Sequence, residues 1–193
     1  DDQAAIPTLE RAVMTTIIDN LRADHGKLER LLRLFDGKPL SPDAPTSSKT
    51  ALLLHALYYL TRFPDVNHHT LENRIAERLM QSHALAPQLA NEIEAQHATL
   101  VYEGHELLDA LESLVREENM SIEGVDLQLR LYGERLRHNM VFEELTLFPR
   151  AIASLDAADW AAIAEAAPAA GADPLFQTPV HERFAQLHSV IVR

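Results

Sequence analysis

The sequence predicts an all-α protein, an antiparallel up-down-up-down four-helix bundle with a C-terminal helical extension. Three observations carry this expectation. Apolar residues recur at helical spacing almost throughout the 193 residues. Only 6 glycines occur, so long stretches run without a breaker. Proline and turn signals divide the chain into four long segments with short or medium connections, which is how bundles are built. One domain is expected over 1–193, with the bundle at about 8–154 and the extension at about 155–193.

The first helix is expected from about Thr8 to Phe35, with Ile17, Leu21, Leu28, Leu31, Leu32 and Phe35 on its inner face. Asp36-Gly37 stops it. The connector KPLSPDAPTSS follows, with three prolines and three serines. The second helix begins near Ser47 or Ser48 and includes ALLLHALYYLTRF. Pro64 interrupts it, because an internal proline removes a donor and clashes with the preceding turn. Its second piece is expected over roughly Asn67 to Gln81. The third helix runs from about Pro87 to Glu117. Glu118-Asn119 and Ser121 mark a break and a fresh start, and the fourth runs on to about Phe148 or Ser154. In the alanine-rich remainder a short helix is expected around Trp160. Thr178-Pro179, a capping residue followed by proline, should open the last helix, HERFAQLHSVIV.

Composition narrows the function. A net charge of −12 argues against nucleic acid and anionic membranes as main partners, because phosphates must be met by Lys and Arg. The chain has no cysteine, which excludes disulfides, thiolate metal sites and cysteine nucleophiles. Such a chain suits a reducing compartment, and DDQAAIPTLE does not read as a signal peptide, so the expected location is cytoplasmic. No run of about 18 apolar residues offers a membrane span. The informative count is ten histidines.

Each long helix carries histidine near its middle: His25 in the first, His68 and His69 in the second, His97 in the third and His138 in the fourth. In a bundle such residues converge on one layer. The stretch HNMVFEELTLFPRA sets His138, Glu143 and Glu144 among residues that want burial. A layer of imidazoles with two carboxylates suits iron, manganese or zinc. His68 and Glu72 are four apart and stack on one helix face. His138 and Glu143 are five apart, roughly 140° around a helix. Both reach one site only if the helix is distorted, as by a π-bulge, or if Glu143 serves a second metal. One histidine on an apolar face is ordinarily a satisfied core residue; the coincidence across four helices favours metal. His55, His83, His181 and His188 read as structural or exposed, and His105 lies too far along the axis from His97 to share its metal.

The motifs DH, FPDVNHHTLE, QHATL and HNMVFEELTLFP resemble those of the hemerythrin family, specifically its bacterial HHE cation-binding domains, over about residues 10 to 153. The resemblance implies a four-helix bundle holding an oxo- or hydroxo-bridged di-iron centre. His25, His68, His97 and His138 would be terminal ligands, Glu72 and Glu143 would bridge, and His69 lies where some members place an additional ligand. Two positions depart from the pattern. Val101 stands where oxygen carriers have a second histidine of the third helix. Asn139 stands four before Glu143, where many bacterial members have histidine, with His138 one place earlier. The five-residue spacing of His138 and Glu143 is similar to that of oxygen-carrier hemerythrins, where the carboxylate is Asp, whereas the missing third-helix ligand disfavours reversible oxygen carriage and leaves iron binding, O₂ or NO sensing and peroxide handling.

Two alternatives belong to other classes. A di-iron oxidase or peroxidase of the ferritin-like type would use Glu-x-x-His on two helices. This chain has one, Glu94-Ala-Gln-His97. A metal-free interaction module would need every inward histidine paired by hydrogen bonds. The expected partner is a small ligand, with a homo-oligomer or protein partner compatible with the acidic surface. Tyr58, Tyr59 and Tyr102 are candidates to orient the ligand histidines.

Overall fold

The computed structural model describes residues 8–37, 40, 48–116, 118, 120–167 and 171–192. Most of the connector KPLSPDAPTSS and the expected third-helix end at Glu117 lie outside the described residues. Within them the protein is all helix with no strand. No helix is long and apolar enough to cross a membrane.

Helix α1 spans Thr8–Leu32. It buries Ile18, Leu21, His25, Leu28, Leu31 and Leu32, spaced as one helical face. Helix α2 is Ser48–Leu60 and α3 is Pro64–Gln81. The proline break is where the sequence put it, but α3 starts one turn earlier than expected. Pro64 sits in its first turn, where a missing N–H leaves no bond unmade. Helix α4, Pro87–Val115, opens on a proline in the same way. Gly104 lets α4 lie close to the end of α2, since a Cβ there would come within 2.8 Å of Thr61 Cγ2. Helix α5 is Ile122–Phe142, capped by Ser121, whose hydroxyl accepts from Gly124 N at 3.1 Å.

The fourth long segment is not uniform. A π turn over Glu143–Leu147 separates α5 from α6, Phe148–Ser154. The Phe148 N–H bonds the Glu143 carbonyl, five residues back. Pro149 explains the widening. It has no N–H to give, and in a tight α turn its ring would strike the carbonyl four residues earlier. The wide turn keeps Glu143, Leu147, Phe148 and Ala151 all buried.

Two apolar clusters make the core. One contains Ile18, Leu21, Ile75, Leu79, Ile93, Leu147 and Phe148. The other contains Leu28, Leu32, Leu57, Leu60, Leu100, Leu111 and Leu136. Each long segment crosses from one cluster to the other. Along α1 the order is Leu21, His25, Leu28; along α4 it is Ile93, His97, Leu100. Along α2–α3 and along α5 onward the order is reversed: Leu60 then Ile75, and Leu136 then Leu147. His25, His68, Glu72, His97 and Glu143 fall at the crossing of every segment, so a polar layer divides the core.

The remainder of the chain joins both clusters. Helix α7, Ala157–Glu165, is closed by a reciprocal capping box of Asp156 and Asp159, and brings Trp160 and Ile163 into the first. A 3₁₀ turn, Glu182–Phe184, leads into α8, Ala185–Ile191, and Leu175, Phe184 and Leu187 enter the second. This last helical segment starts later than Thr178-Pro179. His181 caps it instead, its ring nitrogen accepting from Arg183 N at 3.2 Å.

Because Trp160 is buried in the same cluster as α1, α3 and α6, Trp160→Ala should cost about 3–5 kcal/mol. Thermal melting followed by circular dichroism should shift down as a single transition. An unchanged melt would mean that the extension is energetically separate from the bundle.

Candidate metal centre

Glu72 and Glu143 are both 0% exposed. An isolated buried carboxylate costs several kcal/mol or more, so something must compensate each. Three helices supply imidazoles. His68 Nε2 lies 3.0 Å from Glu72 Oε1, one turn along the same helix. From α1, His25 Nε2 lies 3.4 Å from Glu72 Oε1 and 3.3 Å from Glu143 Oε2. From α4, His97 Nε2 lies 3.5 Å from Glu72 Oε2 and 2.9 Å from Glu143 Oε1. Each carboxylate therefore turns one oxygen toward His25 and the other toward His97.

On two of the same rings the outer nitrogen has an acceptor of its own; the third, His68 Nδ1, makes no hydrogen bond. His25 Nδ1 is 2.9 Å from Glu144 Oε1, and His97 Nδ1 is 2.8 Å from Asn73 Oδ1. His68 Nδ1 faces Asp24 Oδ2 at 3.7 Å. His25 also stacks on Phe148 at 5.6 Å, which sets its ring plane. His69 stacks on His97 at 4.3 Å, the rings 12° from parallel.

His25, His68, Glu72 and Glu143 each offer one ligand atom, all within 4.8 Å of one another. His69, Glu72 and His97 form a second such group that shares Glu72. All six were expected at the site from the sequence. His138 does not join them. Its side chain is exposed and lines a groove on the outer face between α4 and α5. The reason is angular: five residues of regular α-helix turn it about 140° from Glu143. The π turn lies on the far side of Glu143 and so cannot bring His138 back.

Asn139 takes the inward place instead. Four residues before Glu143, it is 1% exposed, and its Nδ2 donates to Glu143 Oε1 at 2.7 Å. The i, i+4 spacing made it legible. Asp24 and Asn73 were missed; each neighbours a ligand candidate in sequence, but only the packing of α1, α3 and α4 brings it to an imidazole. Glu144 touches His25 from the exposed side. The tyrosines do not orient the rings. Tyr102 is exposed, Tyr58 lies under Arg62 and Arg183, and Tyr59 donates to Asp173.

Electrostatics follow from the burial. Desolvation alone would lower the pKa of His25, but the Glu143 and Glu72 carboxylates, 3.3 and 3.4 Å from its Nε2, outweigh it and lift it to about 9. His68 is likewise penalised by burial, yet the charge of Glu72 and the nearby Asp24 carboxylate raise it to about 10. Burial pushes Glu72 up, and the charge of His68 with the nearby His25 imidazole holds it well below the usual carboxylate range.

The arrangement fits a metal better than it fits those protons. Both Glu72 oxygens, Glu143 Oε2 and His25 Nε2 make no hydrogen bond, although imidazole nitrogens stand 3.0–3.5 Å from Glu72. The atoms converge without hydrogen-bond geometry, and buried polar atoms of native proteins are seldom left so. A cavity of about 750 Å³ between α1, α3 and the extension reaches Asp24 and His68, giving a small molecule a path to the layer. Lys27 and Tyr59, which also line it, bind Asp173 at 3.3 and 3.2 Å.

No curated protein and no solved structure matches the chain. Comparison with known protein families matches residues 16–151 to the hemerythrin HHE cation binding domain, a span that begins in α1, ends in α6 and encloses every member of the cluster. With His/Glu ligand sets in a buried layer and that match over most of its length, the chain belongs to the hemerythrin family of HHE cation-binding domains.

Proposed function

We propose that this protein holds a non-haem di-iron centre and uses it to bind or sense O₂, NO or redox state. The observation that carries the proposal is the orientation of three imidazoles. His25, His68 and His97 turn Nε2 toward the glutamates and Nδ1 toward Glu144, Asp24 and Asn73. On His25 and His97 the outer nitrogen is held by an acceptor at 2.9 and 2.8 Å, the arrangement that ordinarily turns the inner lone pair of a metal-ligating histidine to the metal.

His25 and His68 would hold one iron and His69 and His97 the other, with Glu72 and Glu143 spanning both. The shared membership of Glu72 in two ligand groups supports two ions over one. An all-nitrogen-and-oxygen set suits iron, which when bound supplies a redox couple and open coordination positions for a diatomic ligand. Asn139 keeps Glu143 aimed into the layer, and Phe148 and the two apolar clusters exclude bulk water. The order in which the segments cross the clusters supports an antiparallel up-down-up-down bundle. The ferritin-like alternative is disfavoured, because Glu94, its one Glu-x-x-His carboxylate, is exposed.

Variants separate the ligands from their neighbours. His97→Ala or Glu72→Gln should lower iron affinity by at least tenfold, whereas His138→Ala should leave iron content and spectrum unchanged. Titration of the iron-loaded protein with O₂ and NO, followed by visible absorption, tests the ligand directly. A saturable shift supports the proposal; an inert spectrum would restrict the chain to metal storage or structure.

Protons provide a second test. Since His25 and His68 titrate near 9 and 10 in the metal-free fold, iron uptake at pH 7 should release about two protons per chain. Calorimetry in buffers of different ionisation enthalpy reads that number, and affinity should rise as pH increases toward 9. The sign for stability is opposite. Both pKa values lie above the ordinary 6.5, so the stabilisation they give the metal-free chain is full below pH 6.5 and fades as pH rises through 9 to 10. Glu72, held low, gives stabilisation that is lost as pH falls below the usual carboxylate range.

A further inference from the structure

The outer face of α5 and of the π turn that follows it carries a pattern that the metal cluster does not use. Leu127, Leu131, Val141 and Leu145 are 58%, 50%, 55% and 75% exposed. Glu134 and His138 are exposed between them. The six positions are spaced four, three, four, three and four residues apart, the repeat of a helix seam that packs against another helix. A groove of about 470 Å³ runs beside the seam, with Ala95 and Thr99 of α4 facing Leu131 and His138 across it.

The seam is symmetric about Leu136. Positions equally distant from that level pair Leu127 with Leu145, Leu131 with Val141, and Glu134 with His138. An isologous two-fold contact demands this, because residue i must meet residue j and j must meet i. In an antiparallel pair of α5 helices, leucines would cover leucines at both ends. Each His138 would face a Glu134 near the middle, an attraction repeated twice. A different partner has no reason to match a pattern that is its own reverse. The seam spans about 27 Å of helix axis. A strip of that length and about 20 Å wide buries roughly 1,100 Å² over two copies, enough to clear the minimum of a specific interface.

We propose that the exposed face of α5 is a homodimer interface, on which a second copy of this chain lays its own α5 antiparallel, with His138 of each copy against Glu134 of the other. The proposal is independent of the metal reading, and it gives His138 a place on the outside of the bundle.

Sedimentation equilibrium over a range of concentrations should report a mass twice the 21.6 kDa of the chain. Leu131→Glu should raise the dissociation constant at least 100-fold while the helical circular dichroism is kept. Glu134→Lys and His138→Glu should each weaken the dimer, and the two together should restore it. Register is tested by disulfide trapping, which the cysteine-free chain makes clean. Leu127→Cys and Leu145→Cys proteins should cross-link when mixed and far less when oxidised alone. A wild-type chain that stays monomeric to near-millimolar concentration would overturn the proposal. So would a dimer indifferent to Leu131→Glu, each cysteine variant cross-linking mainly with itself, or a monomer that uses this face for lipid vesicles.

Discussion

Two glutamates buried in the middle of an apolar core set the terms for the rest of this protein. Glu72 and Glu143 have no exposure at all, and each ionised carboxylate taken out of water costs several kcal/mol unless it is paired. The neighbouring segments answer that cost together. Helix α1 brings His25, α3 brings His68 and His69, α4 brings His97, and α5 brings Asn139. When no cation is held, the raised pKa values of His25 and His68 favour positive charge beside Glu72, but oxygens are left without hydrogen-bond partners. A cation does the same work with one group of atoms that already converge. Metal binding and folding are thereby coupled, since the layer that binds is also the layer that joins the two halves of the core.

The fold around this layer is arranged to hold it still. Apolar clusters on both sides fix each long segment before and after its polar residue. The one irregularity, the π turn after Glu143, lets the chain pass Pro149 while keeping Glu143, Leu147 and Phe148 inward. The extension adds to both clusters through Trp160 and Phe184, and through Asp173 it also forms one wall of the cavity that leads to His68.

Much of this was legible in the sequence because helices translate spacing into direction. The break at Pro64, the start at Pro87 and the pairing of His68 with Glu72 all follow from local rules. His25, His68, His69, Glu72, His97 and Glu143 converge as mid-helix residues of a bundle should. His138 stands on the exposed face because five residues of regular helix turn it about 140° from Glu143; the angle favours Asn139. Asp24 and Asn73 had no distinguishing signal, since they become ring partners only when separate helices pack. The later start of the last helix was hidden for a similar reason. Thr178 and Pro179 have good capping chemistry, but the chain reserves its cap for His181, where Phe184 and Leu187 can reach the core.

The central claim is that two ions share the pair of glutamates. Elemental analysis after anaerobic loading with ferrous iron and removal of excess metal tests it most directly. The geometry predicts two irons per chain, falling together when Glu72 is replaced. One iron per chain would contradict the shared arrangement, and none would contradict the metal centre itself.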